Sequence, residues 1–123
     1  MAWSVSFHDD FDREFLELPD AVQDELLAVA QLLERFGPSL KRPHCDTLDD
    51  SKHANMKELR FKAADGVWRV AFAFDPRREA ILLVAGDKSG GSEDRFYKKL
   101  IAKADDRFDQ HLAALNKRPG GKR

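Results

Sequence analysis

Arg60, Arg69 and Lys88 are the side chains in this sequence best suited to chemistry on an anion. They lie between Lys57 and Lys88, where apolar and polar residues alternate and place them on the polar side of extended strands. Two guanidinium groups and an ammonium on one surface repel one another unless an anion sits between them. The guanidinium fork matches two phosphate oxygens at once. Lys57 and Lys62 flank Arg60, and Lys52, Lys98 and Lys99 extend the basic surface. Tyr97 is the sole tyrosine and stands beside Phe96, which belongs to an apolar stripe. Tyr97 therefore points elsewhere, where its ring can stack on a base or its hydroxyl can exchange a proton. His53, at the entrance to the basic strand, is a second candidate for proton transfer. The alternative for the whole set is a solvated outer face on which Glu58 pairs with a neighbouring cation.

Other chemistries find less support. His44, Cys45 and His53 are the only clustered soft ligands, and an adjacent His-Cys pair chelates poorly where structural zinc wants four ligands in spaced pairs. Neither a metal nor another cofactor is expected. The run Gly86-Asp87-Lys88-Ser89-Gly90-Gly91 lies between a strand and a helix but lacks the G-x-x-x-x-G-K-[ST] spacing of a phosphate-binding loop. His111 lies near an apolar stripe and reads as a packing histidine. A single cysteine, Cys45, allows no internal disulfide, which fits a reducing compartment. No apolar run approaches the ~20 residues needed to cross a bilayer. A soluble, cytoplasmic protein with no membrane partner is the expectation.

The elements that would carry these residues follow from periodicity. Trp3, Val5 and Phe7 alternate as a short strand. Asp9 or Asp10 can cap a short helix with Phe11, Phe15 and Leu18 on one face. After Pro19-Asp20, a second helix is expected to bury Val22, Leu26, Leu27, Ala30, Leu32 and Leu33, and Gly37-Pro38 stops it. Residues 38–55 read as an irregular connection with room for one short strand. Leu59 and Phe61 oppose Glu58, Arg60 and Lys62, and Asp65-Gly66 marks a hairpin turn. Trp68, Val70, Phe72 and Phe74 oppose Arg69 on the return strand. Pro76-Arg77 turns the chain again, and Ala80 to Ala85 is apolar throughout, as in a strand covered on both sides. Ser92-Glu93-Asp94 opens a last helix with Phe96, Leu100, Ala104, Phe108, Leu112 and Leu115 in register. The sum is an α+β domain over residues 1–117, with helices over one sheet face and a disordered tail at 118–123.

The 123 residues carry a net charge of −1, but the charge is unevenly placed. Residues 1–36 hold nine acidic and two basic side chains, and the remainder holds nineteen basic and thirteen acidic. A chain with one acidic and one basic end can grip an anion on one side, because local potential matters more than the total.

Three segments together resemble the RelE/ParE superfamily of type II toxins, closest to its phage-derived, HigB-like branch. They are Ser51-Lys52-His53-Ala54-Asn55-Met56-Lys57-Glu58-Leu59-Arg60, Gly66-Val67-Trp68-Arg69-Val70-Ala71-Phe72, and Ile81-Leu82-Leu83-Val84-Ala85-Gly86-Asp87-Lys88. Arg95-Phe96-Tyr97-Lys98-Lys99-Leu100-Ile101 and Ala104-Asp105-Asp106-Arg107-Phe108 are similar to that branch as well. The resemblance implies a RelE-like fold: a small antiparallel sheet with two N-terminal helices and a C-terminal helix. It also implies a metal-independent endoribonuclease that cuts mRNA on the ribosome, with the RNA 2′-hydroxyl as nucleophile. A cognate helix-turn-helix antitoxin would mask it, and the resemblance leaves a homodimer open. Under that reading Arg60 and Arg69 stabilise the phosphorane. Lys88 orients the phosphate or acts as acid, and Tyr97 or His53 acts as base or stacks on a base. The crowded cations would pull the pKa of a lysine or tyrosine downward. Two other readings of the same fold are a ParE-like inhibitor of DNA gyrase that cleaves nothing and a non-catalytic binding module.

Overall fold

The computed structural model describes residues 3–117, so the tail expected at 118–123 lies outside the described residues. The alternating N-terminal segment forms β1 (Ser4–Phe7). Next comes α1 (Asp9–Phe15), which is capped by His8 rather than by an aspartate: His8 Nδ1 accepts the Asp10 N–H at 3.1 Å. Asp9, Asp10 and Asp12 instead occupy the first turn, where negative charge meets the positive end of the helix dipole. The second helix, α2 (Asp20–Phe36), buries Val22, Leu26, Val29, Ala30 and Leu33. Leu27, expected inside, is 46% exposed, and Val29 takes the inward position. At 100° per residue Leu27 falls just outside the stripe that Leu26, Val29, Ala30 and Leu33 define. Gly37 ends α2 with φ of 55°, a conformation that favours glycine.

After a 3₁₀ turn (Gly37–Ser39), the irregular connection contains one strand, β2 (Cys45–Thr47). It is followed by β3 (Met56–Ala63), β4 (Gly66–Phe74), β5 (Glu79–Asp87) and the long helix α3 (Glu93–Lys117). The five strands run in the order β1-β5-β4-β3-β2. All neighbours are antiparallel except β1 and β5, which are parallel. The turn between β3 and β4 is one residue earlier than the Asp65-Gly66 pair suggests. Ala63 pairs with Gly66, and Ala64 and Asp65 take φ of 50° and 61°. Two consecutive left-handed residues make the tight hairpin whose twist suits antiparallel strands.

The helices do not share one face of the sheet. One core layer joins Phe11, Phe15, Leu26, Val29 and Leu33 to Leu59, Val70, Phe72, Ala80 and Leu82. The other joins Met56, Ala71, Ala73, Ile81, Leu83 and Val84 to Leu100, Ile101, Ala104 and Phe108 of α3. Odd and even residues of β4 therefore face opposite layers, and the apolar run in β5 is covered on both sides. Fully buried Phe11, Phe72 and Phe108 each contribute about 2–3 kcal/mol of transfer free energy.

A bulge in β5 sets which residues meet α3. The register steps from Ala71↔Val84 to Phe72↔Leu82, leaving Leu83 as the extra residue. Its carbonyl accepts a 2.8 Å hydrogen bond from Arg107 NH1. Past the bulge, Gly86 stands opposite Arg69 and under Phe96. A Cβ at Gly86 would lie 2.8 Å from the Phe96 ring, so glycine here lets α3 settle close to the sheet.

Candidate nucleic-acid cleavage site

Residues of β3, β4 and the first turns of α3 meet in a cleft of about 890 Å³. Arg60 and Arg69 are direct cross-strand partners on the α3 side of the sheet. Tyr97 reaches them from α3 because Phe96, one residue earlier, is seated over Gly86. Arg69 Nε donates to Tyr97 Oη at 3.1 Å, and its NH1 donates to the Trp68 carbonyl at 3.0 Å. Lys88 follows the last residue of β5; its backbone N–H donates to Val67 O at 2.6 Å, and its side chain lines the cleft. The Asp87 carboxylate fixes that loop by accepting from the backbone N–H groups of Val67 and Ser89 and from Ser89 Oγ. Hydrogen bonds from Ser89 hold the Asp87 carboxyl below its ordinary pKa.

The centre of the cluster is a carboxylate. Glu58 is 3% exposed, and its two oxygens divide the neighbours between them. Oε2 accepts from Arg60 NH1 at 2.7 Å. Oε1 accepts from Tyr97 Oη at 2.9 Å and lies 3.8 Å from Arg69 Nε. One buried anion thus neutralises two guanidinium groups and orients the tyrosine. In the sequence alone Glu58 reads only as a surface partner for a cation. The available signal was its position two residues before Arg60, on the same face of the strand.

Tyr97 departs from expectation in its acidity. Burial, followed by the hydrogen bond to Glu58, holds its pKa above the ordinary value despite the opposing pull of Arg69. At neutral pH it is a phenol whose O–H donates, better suited to delivering a proton than to abstracting one.

Of the remaining expected residues, Lys98 lines the cleft and the others do not. His53 is placed elsewhere: Nε2 meets Asp109 Oδ1 at 2.8 Å, and the ring packs edge-on against Phe108. Lys52 pairs with the other oxygen of Asp109 at 2.5 Å, so both residues fasten the β2–β3 connection to the middle of α3. Lys57 is in register with Phe72, whose side chain belongs to the α1–α2 layer, and so it faces away from Arg60. Lys62 shares the Arg60 face but sits exposed toward the hairpin tip, and Lys99 is exposed beyond the cleft.

The cleft also holds more acid than the sequence suggested. Arg42, Arg60, Arg69, Lys88 and Lys98 face Asp46, Asp49, Asp50, Glu58, Glu93 and Asp94. Lys88 Nζ is 3.3 Å from Glu93 and Arg42 is 2.7 Å from Asp46. Glu93 is 67% exposed on its side chain, so its pair with Lys88 is worth no more than ~1 kcal/mol and yields easily to a phosphate. The Arg60–Glu58 pair is more shielded by comparison.

This arrangement of a five-stranded sheet, two helices on one face and a site under a C-terminal helix is the RelE fold. The chain superposes on a doubly substituted RelE toxin of Escherichia coli in the free state with a TM-score of 0.61, at 12% identity, covering 84% of this chain and 97% of that one. It also superposes on a chain of the archaeal RelE–RelB complex from Pyrococcus horikoshii with a TM-score of 0.54, at 18% identity, covering 74% and 100%.

Residues 13–109 match the family described as Phage derived protein Gp49-like (DUF891), and the chain belongs to that family. It is 43% identical over 103 residues to two candidate toxins of Mycobacterium tuberculosis, HigB2 and HigB3. The alignments cover 83% and 84% of this chain; it spans about half of HigB2 (47%) and 88% of HigB3. Among the described residues no helix is long and apolar enough to cross a membrane.

Proposed function

We propose that this protein is the toxin of a type II toxin–antitoxin pair and that it cleaves mRNA on the ribosome. The observation that carries this reading is the convergence of Arg60, Arg69 and Tyr97 on the buried Glu58 within a cleft open to a polyanion. The RelE fold and the similarity to candidate toxins support it. A cognate antitoxin as partner accords with the archaeal RelE–RelB complex.

The reaction follows from the chemistry of RNA. The 2′-hydroxyl gives up its proton, its oxygen bonds to the adjacent phosphorus, and the bond to the 5′-oxygen breaks as that oxygen is protonated. The products are a 2′,3′-cyclic phosphate and a 5′-hydroxyl. Glu58 would accept the proton as the phosphate takes over its guanidinium partners. Arg60 and Arg69 would face the phosphorane, where fixed cations aimed at developing charge contribute ~3 kcal/mol each. Tyr97 or Lys88 would protonate the leaving oxygen.

The competing reading, a gyrase inhibitor with no nuclease step, draws on the carboxylates lining the same cleft, which repel RNA. Ribosomes programmed with a defined mRNA and incubated with purified Arg69→Ala separate the two. A loss of at least ~100-fold in cleavage with an unchanged circular dichroism spectrum supports the nuclease. Full cleavage by that variant removes Arg69 from the mechanism.

A further inference from the structure

The hairpin between β4 and β5 carries an arginine where glycine is the usual choice. Arg78 has φ of 66°, the left-handed region that a β-carbon disfavours. The turn is held by Asp75, whose Oδ1 accepts from the N–H groups of Arg77 (2.8 Å) and Glu79 (3.0 Å) and whose Oδ2 meets His111 at 2.8 Å. The left-handed residue closes this turn, as Ala64 and Asp65 close the hairpin between β3 and β4. The Arg78 guanidinium lies over the Trp3 ring, 4.4 Å from the centroid. Trp3 presses on Gly37, where any side chain would collide with the indole. Next to Gly37, Phe36 is 46% exposed, and the Arg35 guanidinium stands 5.4 Å from its ring centroid.

Arg78, Trp3, Gly37, Phe36 and Arg35 thus follow one another as a strip through these contacts and chain neighbours, and Arg77, beside Arg78 in the chain, is exposed. It lies at the far end of the sheet from the cleft, about 20 Å along β4 from Arg69, and none of its residues lines that cleft. Nearby acids are few. Glu79 is bonded to Ser6 Oγ and Asp75 is buried against His111, leaving Glu34 exposed. The other eight acidic residues of the N-terminal third lie on α1, in the turn after it or in the first two turns of α2, ~15 Å or more from Arg35 along that helix.

We propose that this strip is a second RNA-binding surface, in which Arg77 and Arg78 hold phosphates and the open face of Phe36 stacks a base. The proposal rests on the RNA-directed reading of the cleft. An exposed ring beside a guanidinium favours a nucleobase over an acidic peptide, because bases stack on such platforms whatever their sequence.

The test is anisotropy of the full chain with a fully 2′-O-methylated, mixed-sequence RNA of ~12 nucleotides, which lacks the attacking hydroxyl. The titration is repeated across potassium chloride concentrations. Arg77→Ala with Arg78→Gly should raise Kd about tenfold and lower the salt slope by about 1.4, or 0.7 for each phosphate no longer neutralised. The same double variant should melt within a few degrees of wild type, since glycine suits the backbone at position 78 and offsets the lost contact with Trp3. Phe36→Ala should weaken binding several-fold at an unchanged slope. Wild-type affinity in the double variant overturns the strip while leaving the cleft reading intact, and Arg77→Glu alone reads the same surface should Arg78→Gly unfold. No RNA affinity in the wild-type chain also overturns the strip, whereas the cleft reading is decided separately by cleavage on programmed ribosomes.

Discussion

Replacing Glu58 by Gln tests the centre of the site with little change in shape. The amide keeps an oxygen for Arg60 or Tyr97 but removes the charge that faces both guanidinium groups. Breaking a fully buried pair costs ~3–5 kcal/mol. Here Arg60 remains 19% exposed on its side chain and rehydrates through the cleft, so about 2 kcal/mol of stability should be lost. That leaves a domain of this size folded, given typical stabilities of ~5–15 kcal/mol. Loss of the base should reduce kcat by about 10²–10⁴, or ~3–5 kcal/mol in the barrier. Urea denaturation and single-turnover cleavage of ribosome-bound mRNA measure the two quantities separately. The variant should also bind RNA more tightly, because a competing anion has left two arginines. Cleavage at the wild-type rate would show that Glu58 is only a counter-ion for the cations.

Tyr97 is the sole tyrosine, so tyrosinate absorbance reports it alone. It should titrate above the ordinary value of 10.0, and Glu58→Gln should bring it down. Because its folded pKa is raised, Tyr97 contributes stability below pH ~10 that disappears as pH rises through the folded value. Arg107→Ala removes the bidentate bonds to Glu14 (2.8 and 2.6 Å) and strips the Leu83 carbonyl of its partner at the bulge. It should cost ~3 kcal/mol, mostly from the buried carbonyl, since the Glu14 side chain is 45% exposed; the melting temperature should fall by ~10 °C. The Arg107 hydrogen bond holds Glu14 below its ordinary 4.5, so this part of the stabilisation is present above that pH and is lost as pH falls through the lowered value. The difference between wild type and Arg107→Ala should therefore shrink in acid.

The strands and helices were legible because their periods differ. Alternation at Leu59, Phe61, Val70 and Phe72 and the spacing of Phe96, Leu100, Ala104 and Phe108 each point to a single secondary structure. Which face each helix covers was not legible, because it depends on the path of the chain around the β1 edge rather than on any local pattern. The bulge at Leu83 is hidden in a run that is apolar on both sides, so alternation carries no signal there. That Arg60 and Arg69 lie near one another on paired strands was legible from the hairpin, but their direct pairing was not, because a turn at Asp65-Gly66 would set Arg60 opposite Ala71. Glu58 was undervalued because burial is what distinguishes a central carboxylate from a surface one. His53 was overvalued for a related reason. It is close to the basic strand in sequence, but its ring turns toward Asp109 and Phe108.

Mapping mRNA 5′ ends after induced expression of the intact chain tests the central claim most directly. The account predicts new 5′-hydroxyl ends inside translated reading frames, phased with codons, with 2′,3′-cyclic phosphates on the upstream fragments. Those ends should be absent with Arg69→Ala. Intact mRNA accompanied by DNA-damage signalling would contradict the nuclease and indicate the gyrase reading instead.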